Sequence, residues 1–159
     1  MNNNFQNRIH LALPMRNKSE TFEFYRKKLG LRVIDYSSTE LCVDLFDQHI
    51  AFHLVPEFFE VKAPLIMLTT ENKEAVPVSS FHFGAVIRKK DFDHMVETIK
   101  ANNVRIILGP ATYKWPNGKE EYMIQFFDCN NFNLELKASS EDEMYQLNDL
   151  NKWSHKHMD

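Results

Sequence analysis

The chain has 159 residues, thirteen of them Phe, and a formal net charge of -3; that is enough for one domain with a real core, needing no disulfide or metal for stability. Its basic residues are scattered rather than gathered, which argues against a nucleic-acid or anionic-membrane partner, and no run approaches the about 20 apolar residues that cross a bilayer. The opening MNNNFQNR has no apolar segment behind a basic cluster, and Cys42 and Cys129 read as free thiols, so a cytoplasmic address is expected.

In chain order, RIHLALPM alternates as a strand to Pro14, and RNKSETFEFYRKKLG then sets Phe22, Tyr25 and Leu29 on one helical face. Asn17 is placed to cap that helix with Glu20 three positions on, and Gly30 to stop it in a left-handed conformation. Three strands follow, LRVIDYS, ELCVDLF and HIAFHLV, the last two joined tightly around Asp47 and Gln48. Residues 56–80, with three prolines and a polar patch, read as a crossing linker. Then come a strand, SFHFGAVI, and a helix, DFDHMVETIKANN, capped by Asp91 and burying Phe92, Met95, Val96 and Ile99. After VRIIL, the irregular GPATYKWPNGK leads to the strand EEYMIQFF, the turn DCNN and the strand FNLELKA. Module one therefore spans 8–55, the linker 56–80 and module two 81–138, one domain over 8–138. The tail 139–159 patterns Met144, Leu147, Leu150 and Trp153 as an amphipathic helix packed on its own domain or a dimer mate, with His155 and His157 exposed.

Both halves read strand, helix, strand, strand, strand, and the spacing agrees: His10 to Val33 is 23 residues and His82 to Val104 is 22. Alternation turns Ile9, Leu11 and Leu13 toward the first helix and His10 with Ala12 away from it. Likewise Phe81, Phe83 and Ala85 face the second helix, and His82 shares the opposite face with a small neighbour, Gly84. The last strand of each copy is interrupted alike, by His53 between Phe52 and Leu54 and by Glu135 between Leu134 and Leu136. A carboxylate so placed needs a partner or a shifted pKa, and a divalent cation is such a partner. A lone histidine on a sheet face is more often a hydrogen-bonded structural residue. Two at duplicated positions, with Glu135, favour a site for Fe(II), Mn(II), Ni(II) or Zn(II). His49 shares a face with His53 but stands at the turn, where a solvated role is expected, and His94 reads as surface.

With HLALPM and FYRKKLGL opening and FFDCNNFNLELK closing, the chain resembles the vicinal oxygen chelate superfamily, which includes glyoxalase I, bleomycin-resistance proteins, fosfomycin-inactivating thiol transferases, epimerases and extradiol dioxygenases. The stretches FDQHIAFHLVPE, VPVSSFHFGAVI and FFDCNNFNLELKA are most similar to its small bacterial members labelled extradiol-type dioxygenases. The resemblance implies an α+β fold of two βαβββ modules forming an open barrel around a metal held by His10, His82 and Glu135. His53 falls on a fourth position, either a further ligand or an acid–base group toward substrate. Asp44, Glu121, Tyr113 and Tyr122 are further candidates beside the site, and the catalytic candidates are His53, Glu121 and Tyr122. Expected with them are Fe(II), with Mn, Ni or Zn as alternatives, a small substrate with adjacent oxygens, and a homodimer whose modules close within one chain or swap between two. The competing activities are those of a glyoxalase-like lyase, isomerase or epimerase and of a drug-binding resistance protein without catalysis. The usual DPxGN turn is here Asp128-Cys129-Asn130-Asn131, so an Asn must take the conformation usual for Gly. The bulky YKWPNG loop is distinctive and transfers no substrate identity.

Overall fold

Asn17 sets the entry to the first helix as expected: its backbone is extended and its side chain accepts a hydrogen bond from the Glu20 amide. In the computed structural model, which describes residues 9–55, 57, 64–69, 75–114 and 118–139, this helix follows strand β1 (His10–Met15). It begins as α1 (Lys18–Phe22) and widens into a π-helical segment, Glu23–Lys28. The wider turn rotates the buried face to Thr21, Phe24, Tyr25 and Leu29, and Phe22, expected inside, is half-buried. Gly30 ends the helix at φ +70°, and the chain returns through β2 (Arg32–Ser37), β3 (Glu40–Leu45) and β4 (Gln48–Leu54). The β3–β4 turn falls on Phe46 and Asp47, both at positive φ, one residue earlier than expected. These strands form a sheet in the order β1-β4-β3-β2, with β1 parallel to β4.

The linker is more structured than its prolines suggested. Strands β5 (Leu65–Thr69) and β6 (Ala75–Ser79) pair antiparallel as a two-stranded ribbon of their own. The second module then repeats the first: β7 (Phe83–Val86), α2 (Lys89–Ala101), β8 (Ile106–Lys114), β9 (Glu120–Phe127) and β10 (Asn133–Ser139), in the sheet order β7-β10-β9-β8. Helix α2 starts two residues before Asp91, so Asp91 does not cap it. Arg88 occupies that position, and Asp91 in the first turn accepts from Arg88 Nε at 2.7 Å. The stretch GPATYK, expected to be irregular, continues β8 with register shifts on either side of Leu108, the second spanning Gly109-Pro110. Asn131 takes φ +65°, as the closing turn requires.

One core joins the modules. Met15, Tyr25, Leu41 and Phe52 of the first pack in the same cluster as Ile99, Ile124, Leu134 and Leu136 of the second. Polar contacts pin the junction: the Tyr25 hydroxyl donates to Asp128 at 2.8 Å, Asn130 Nδ2 to Thr21 Oγ1 at 3.1 Å, and the Arg16 amide to Asn130 Oδ1 at 3.0 Å. Burial pushes the Asp128 carboxyl up to about 6, against the pull of Tyr25 and the Phe132 and Asn130 amides. Cys42 and Cys129 are free thiols, and no helix among the described residues is long and apolar enough to cross a membrane. Residues 56, 58–63, 70–74 and 115–117, which include much of the YKWPNG stretch, and the tail from residue 140 lie outside the described residues.

Candidate metal centre

Glu135 sits on β10 with its side chain only 13% exposed, and His82 Nε2 is 3.3 Å from its Oε2. His82 immediately precedes β7 rather than lying within it, and its Nδ1 stands 3.1 Å from the Ser79 carbonyl. A carbonyl can only accept, so Nδ1 carries the hydrogen and the Nε2 lone pair is left to face Glu135. The other Glu135 oxygen accepts from Gln125 Nε2 at 3.1 Å, and Gln125 Oε1 accepts from Asn133 Nδ2 at 3.1 Å. Both amides are buried. An imidazole and a carboxylate aimed at one point, each held from behind, is how ligands of a divalent metal are presented. Lys137 Nζ lies 3.0 Å from Glu121 and 3.9 Å from Glu135, so Glu121 shares this face and is tied to the pair through a lysine.

Tyr122, adjacent to Glu121, necessarily points to the other side of the sheet. Its ring packs on Phe92 of α2 with Lys89 over its face, and its hydroxyl donates to Glu120 at 2.7 Å. That acceptor holds the phenol above its ordinary range. The structure therefore separates Tyr122 from the Glu135 face, contrary to expectation.

In the first sheet His10 stands opposite His49, not alone. Their rings meet edge to edge, nearly coplanar, with centroids 4.8 Å apart, Nδ1 meets Nδ1 at 2.7 Å, and His49 Nε2 lies 3.2 Å from Cys42 Sγ. His49, set aside as a solvated turn residue, is thus the partner of a predicted ligand. Its place two strand repeats before His53 on one face was the available signal. Burial, then Glu40, raises the Cys42 thiol, which keeps it protonated. Asp44 accepts from the Asp47 amide and braces the turn. Tyr113, on β8, pairs across from Glu121.

His53 pairs with Pro14 and Glu40 in the ladders, and its Nδ1 is 3.0 Å from Glu40 Oε1. The ladders also revise its equivalence to Glu135. Gly84, two residues after His82, faces Glu135; Ala12, two residues after His10, faces Ala51. The first-module counterpart of Glu135 is therefore Ala51, and the counterpart of His53 is Lys137. Among the described residues no three His, Cys, Asp or Glu are grouped to hold a metal: His10 lies with His49 on one sheet, and His82 with Glu135 on the other.

A family model for the glyoxalase/bleomycin resistance protein/dioxygenase superfamily matches residues 8–139. Among solved structures, a glyoxalase/bleomycin resistance protein/dioxygenase from Alicyclobacillus acidocaldarius is similar at 24% identity and a TM-score of 0.67, over 88% of this chain and 96% of that one. A glyoxalase/dioxygenase from Nostoc punctiforme matches at 19% identity and TM-score 0.62, over 89% and 96%. A fosfomycin resistance protein from Mesorhizobium loti matches at 16% and 0.56, over 92% and 98%. No curated protein matches the chain. With the duplicated βαβββ order in both sheets and a family match running from the start of the first to the end of the second, the chain belongs to the glyoxalase/bleomycin resistance protein/dioxygenase superfamily.

Proposed function

We propose that the protein is a metal-dependent enzyme of this superfamily, an extradiol-type dioxygenase acting on a small substrate with adjacent oxygens. The observation that carries the reading is the His82–Glu135 pair, with His82 anchored on Ser79 and Glu135 on Gln125. Two imidazoles and one carboxylate, His10, His82 and Glu135, suit Fe(II), with Mn(II), Ni(II) or Zn(II) also matching the donor set. When bound, the metal would supply charge stabilisation and open positions for a chelating substrate and oxygen. Ala51 at the counterpart of Glu135 favours this three-ligand arrangement over a four-ligand, glyoxalase-like one.

The chain's own residues do the rest. Glu40 takes Nδ1 of His53 and leaves Nε2 to exchange a proton with bound substrate. Lys137 holds Glu121 and Glu135 together and offsets part of their charge. His10 belongs to the other sheet, so we place the complete triad between two copies, His10 of one with His82 and Glu135 of the second. The exposed Ile34 and Tyr36 of β2 and Val86 of β7 are apolar surface that such a pairing would cover.

The test is anaerobic purification, metal analysis and oxygen uptake over a panel of catechols and other vicinal diols, with sedimentation to give the oligomeric state. The expected result is a dimer holding one transition metal per chain, with oxygen uptake, and His82→Ala devoid of metal. Metal without oxygen uptake would turn the reading to a metal-dependent isomerase or lyase. No metal in the wild type would leave a drug-binding protein.

A further inference from the structure

The 2.7 Å separation of His10 Nδ1 and His49 Nδ1 places one hydrogen between two ring nitrogens, and only two neutral arrangements supply it. In one, His10 carries its hydrogen on Nδ1 and donates to His49, which then carries its own on Nε2 and turns it to the Cys42 sulfur, 3.2 Å away. The Nε2 lone pair of His10 is then free. In the other, Cys42 donates to His49, His49 Nδ1 donates to His10, and the hydrogen of His10 sits on Nε2, where it blocks a metal. Left to itself an imidazole does not choose the first arrangement, so the neighbour matters.

The second module offers an internal comparison. By the strand registers the counterpart of His49 is Asn133 and the counterpart of Cys42 is Gln125. Those two residues are hydrogen-bonded to each other at 3.1 Å, and Gln125 ends on Glu135. The same two positions in each copy thus carry a polar pair that terminates on a predicted ligand, although the residue types differ. In the first module the His10 and His49 rings are inclined by only 23° and meet edge to edge, so the bond sets the ring plane as well as the hydrogen.

We infer that His49 is a positioning residue for His10, accepting a hydrogen bond from its Nδ1 so that Nε2 is presented to a divalent metal, with Cys42 holding His49 from behind. The inference rests on the metal reading above, in which His10 is a ligand. Partners of this kind commonly contribute about 10- to 100-fold to metal affinity. His49 touches neither metal nor substrate and acts only through His10.

Two variants separate the hydrogen bond from the packing. His49→Phe keeps an aromatic ring beside His10 and removes the acceptor; His49→Asn restores an acceptor oxygen close to the place of Nδ1. Metal-free wild type and both variants are titrated with manganese(II), read by the electron paramagnetic resonance signal of the free ion, with circular dichroism melts to confirm folding. The Phe variant should bind about 10- to 100-fold more weakly, and the Asn variant within a few-fold of wild type. In parallel, nitrogen-15 shifts of the neutral His10 ring in the metal-free protein should show the hydrogen on Nδ1 in wild type and Asn, and on Nε2 in Phe. Equal affinities in all three proteins, equal loss in both variants, or a wild-type hydrogen on Nε2 overturns the inference. Should the wild type bind no manganese, the metal reading fails by itself and the ring shifts alone decide whether His49 orients His10.

Discussion

Gly84→Ala adds one methyl group where β7 meets β10. That methyl would run into the carbonyl oxygen of Glu135 and stand 2.6 Å from its carbonyl carbon and 3.0 Å from its nitrogen, against about 3.5–4.0 Å for an unstrained carbon contact. The obstructing atoms are backbone, so no rotamer change relieves them, and β7 has to retreat by about 1.5 Å. The retreat strains the ladder of Phe83–Val86 against Leu134–Lys137. Overpacking costs about 1–3 kcal/mol and each ladder bond lost about 1 kcal/mol more, so about 3–5 kcal/mol in all is expected. At this chain length that lowers Tm by about 10 °C. The same movement parts His82 from Glu135, so metal content should fall with stability. Circular dichroism melts and metal analysis of the loaded variant read both effects. A variant melting within about 2 °C of wild type with unchanged metal content would refute the close approach and its role in holding the pair.

Asp128 gives a pH signature. Its folded pKa of about 6 lies above its ordinary 3.8, so the folded state holds the extra proton; the stabilising contribution is complete below about pH 4 and is lost as pH rises through about 6. Asp128→Asn should flatten this fall, which amounts to at most about 3 kcal/mol, and an unchanged pH slope in urea melts would count against the burial argument. His53→Ala should keep its metal and lose about 100-fold or more in kcat; loss of metal would instead make His53 a ligand, and unchanged kcat would remove it from the chemistry. Tyr122→Phe, on the helix side of β9, should leave metal content and kcat as they are, and a large fall in kcat would show that the side chain reaches the site.

What could be read in the residues was local. The Asn17 cap, the Gly30 stop and the left-handed Asn131 each follow from what one side chain or its absence permits, and all three are present. The two-copy order was legible because strand and helix periods differ enough to recur visibly. Register was not legible, since it belongs to pairs of strands. His53 and Glu135 look alike between apolar neighbours, yet β1 and β7 set them two residues apart. Tyr122 and Glu121 were both named although adjacent strand residues cannot share a face. The three prolines of 56–80 argued for a linker, yet Pro77 lies in β6, a strand of a two-stranded ribbon, where both strands are edges and a missing amide is tolerated. Gly84 looked like room in front of His82, when it is required by the backbone of β10.

The outer strands of both sheets have a consequence for how copies of the chain can meet. The carbonyl of Ile9, just before β1, accepts from His49 of β4 and that of Met15 from Val55, just after β4, so the alternate residues turn their backbone outward, and one of them is Pro14, which has no hydrogen to offer. On the far side of that sheet β2 shifts register between Asp35 and Ser37. In the second sheet β7 is four residues long, and β8 has two register shifts, the second at Gly109-Pro110. Every border is interrupted within a few residues, so neither sheet is a template for a further strand. Growth into continuous intermolecular sheets is thereby discouraged, even though both open faces carry apolar side chains, and association between copies is left to side-chain contacts, which are specific and finite.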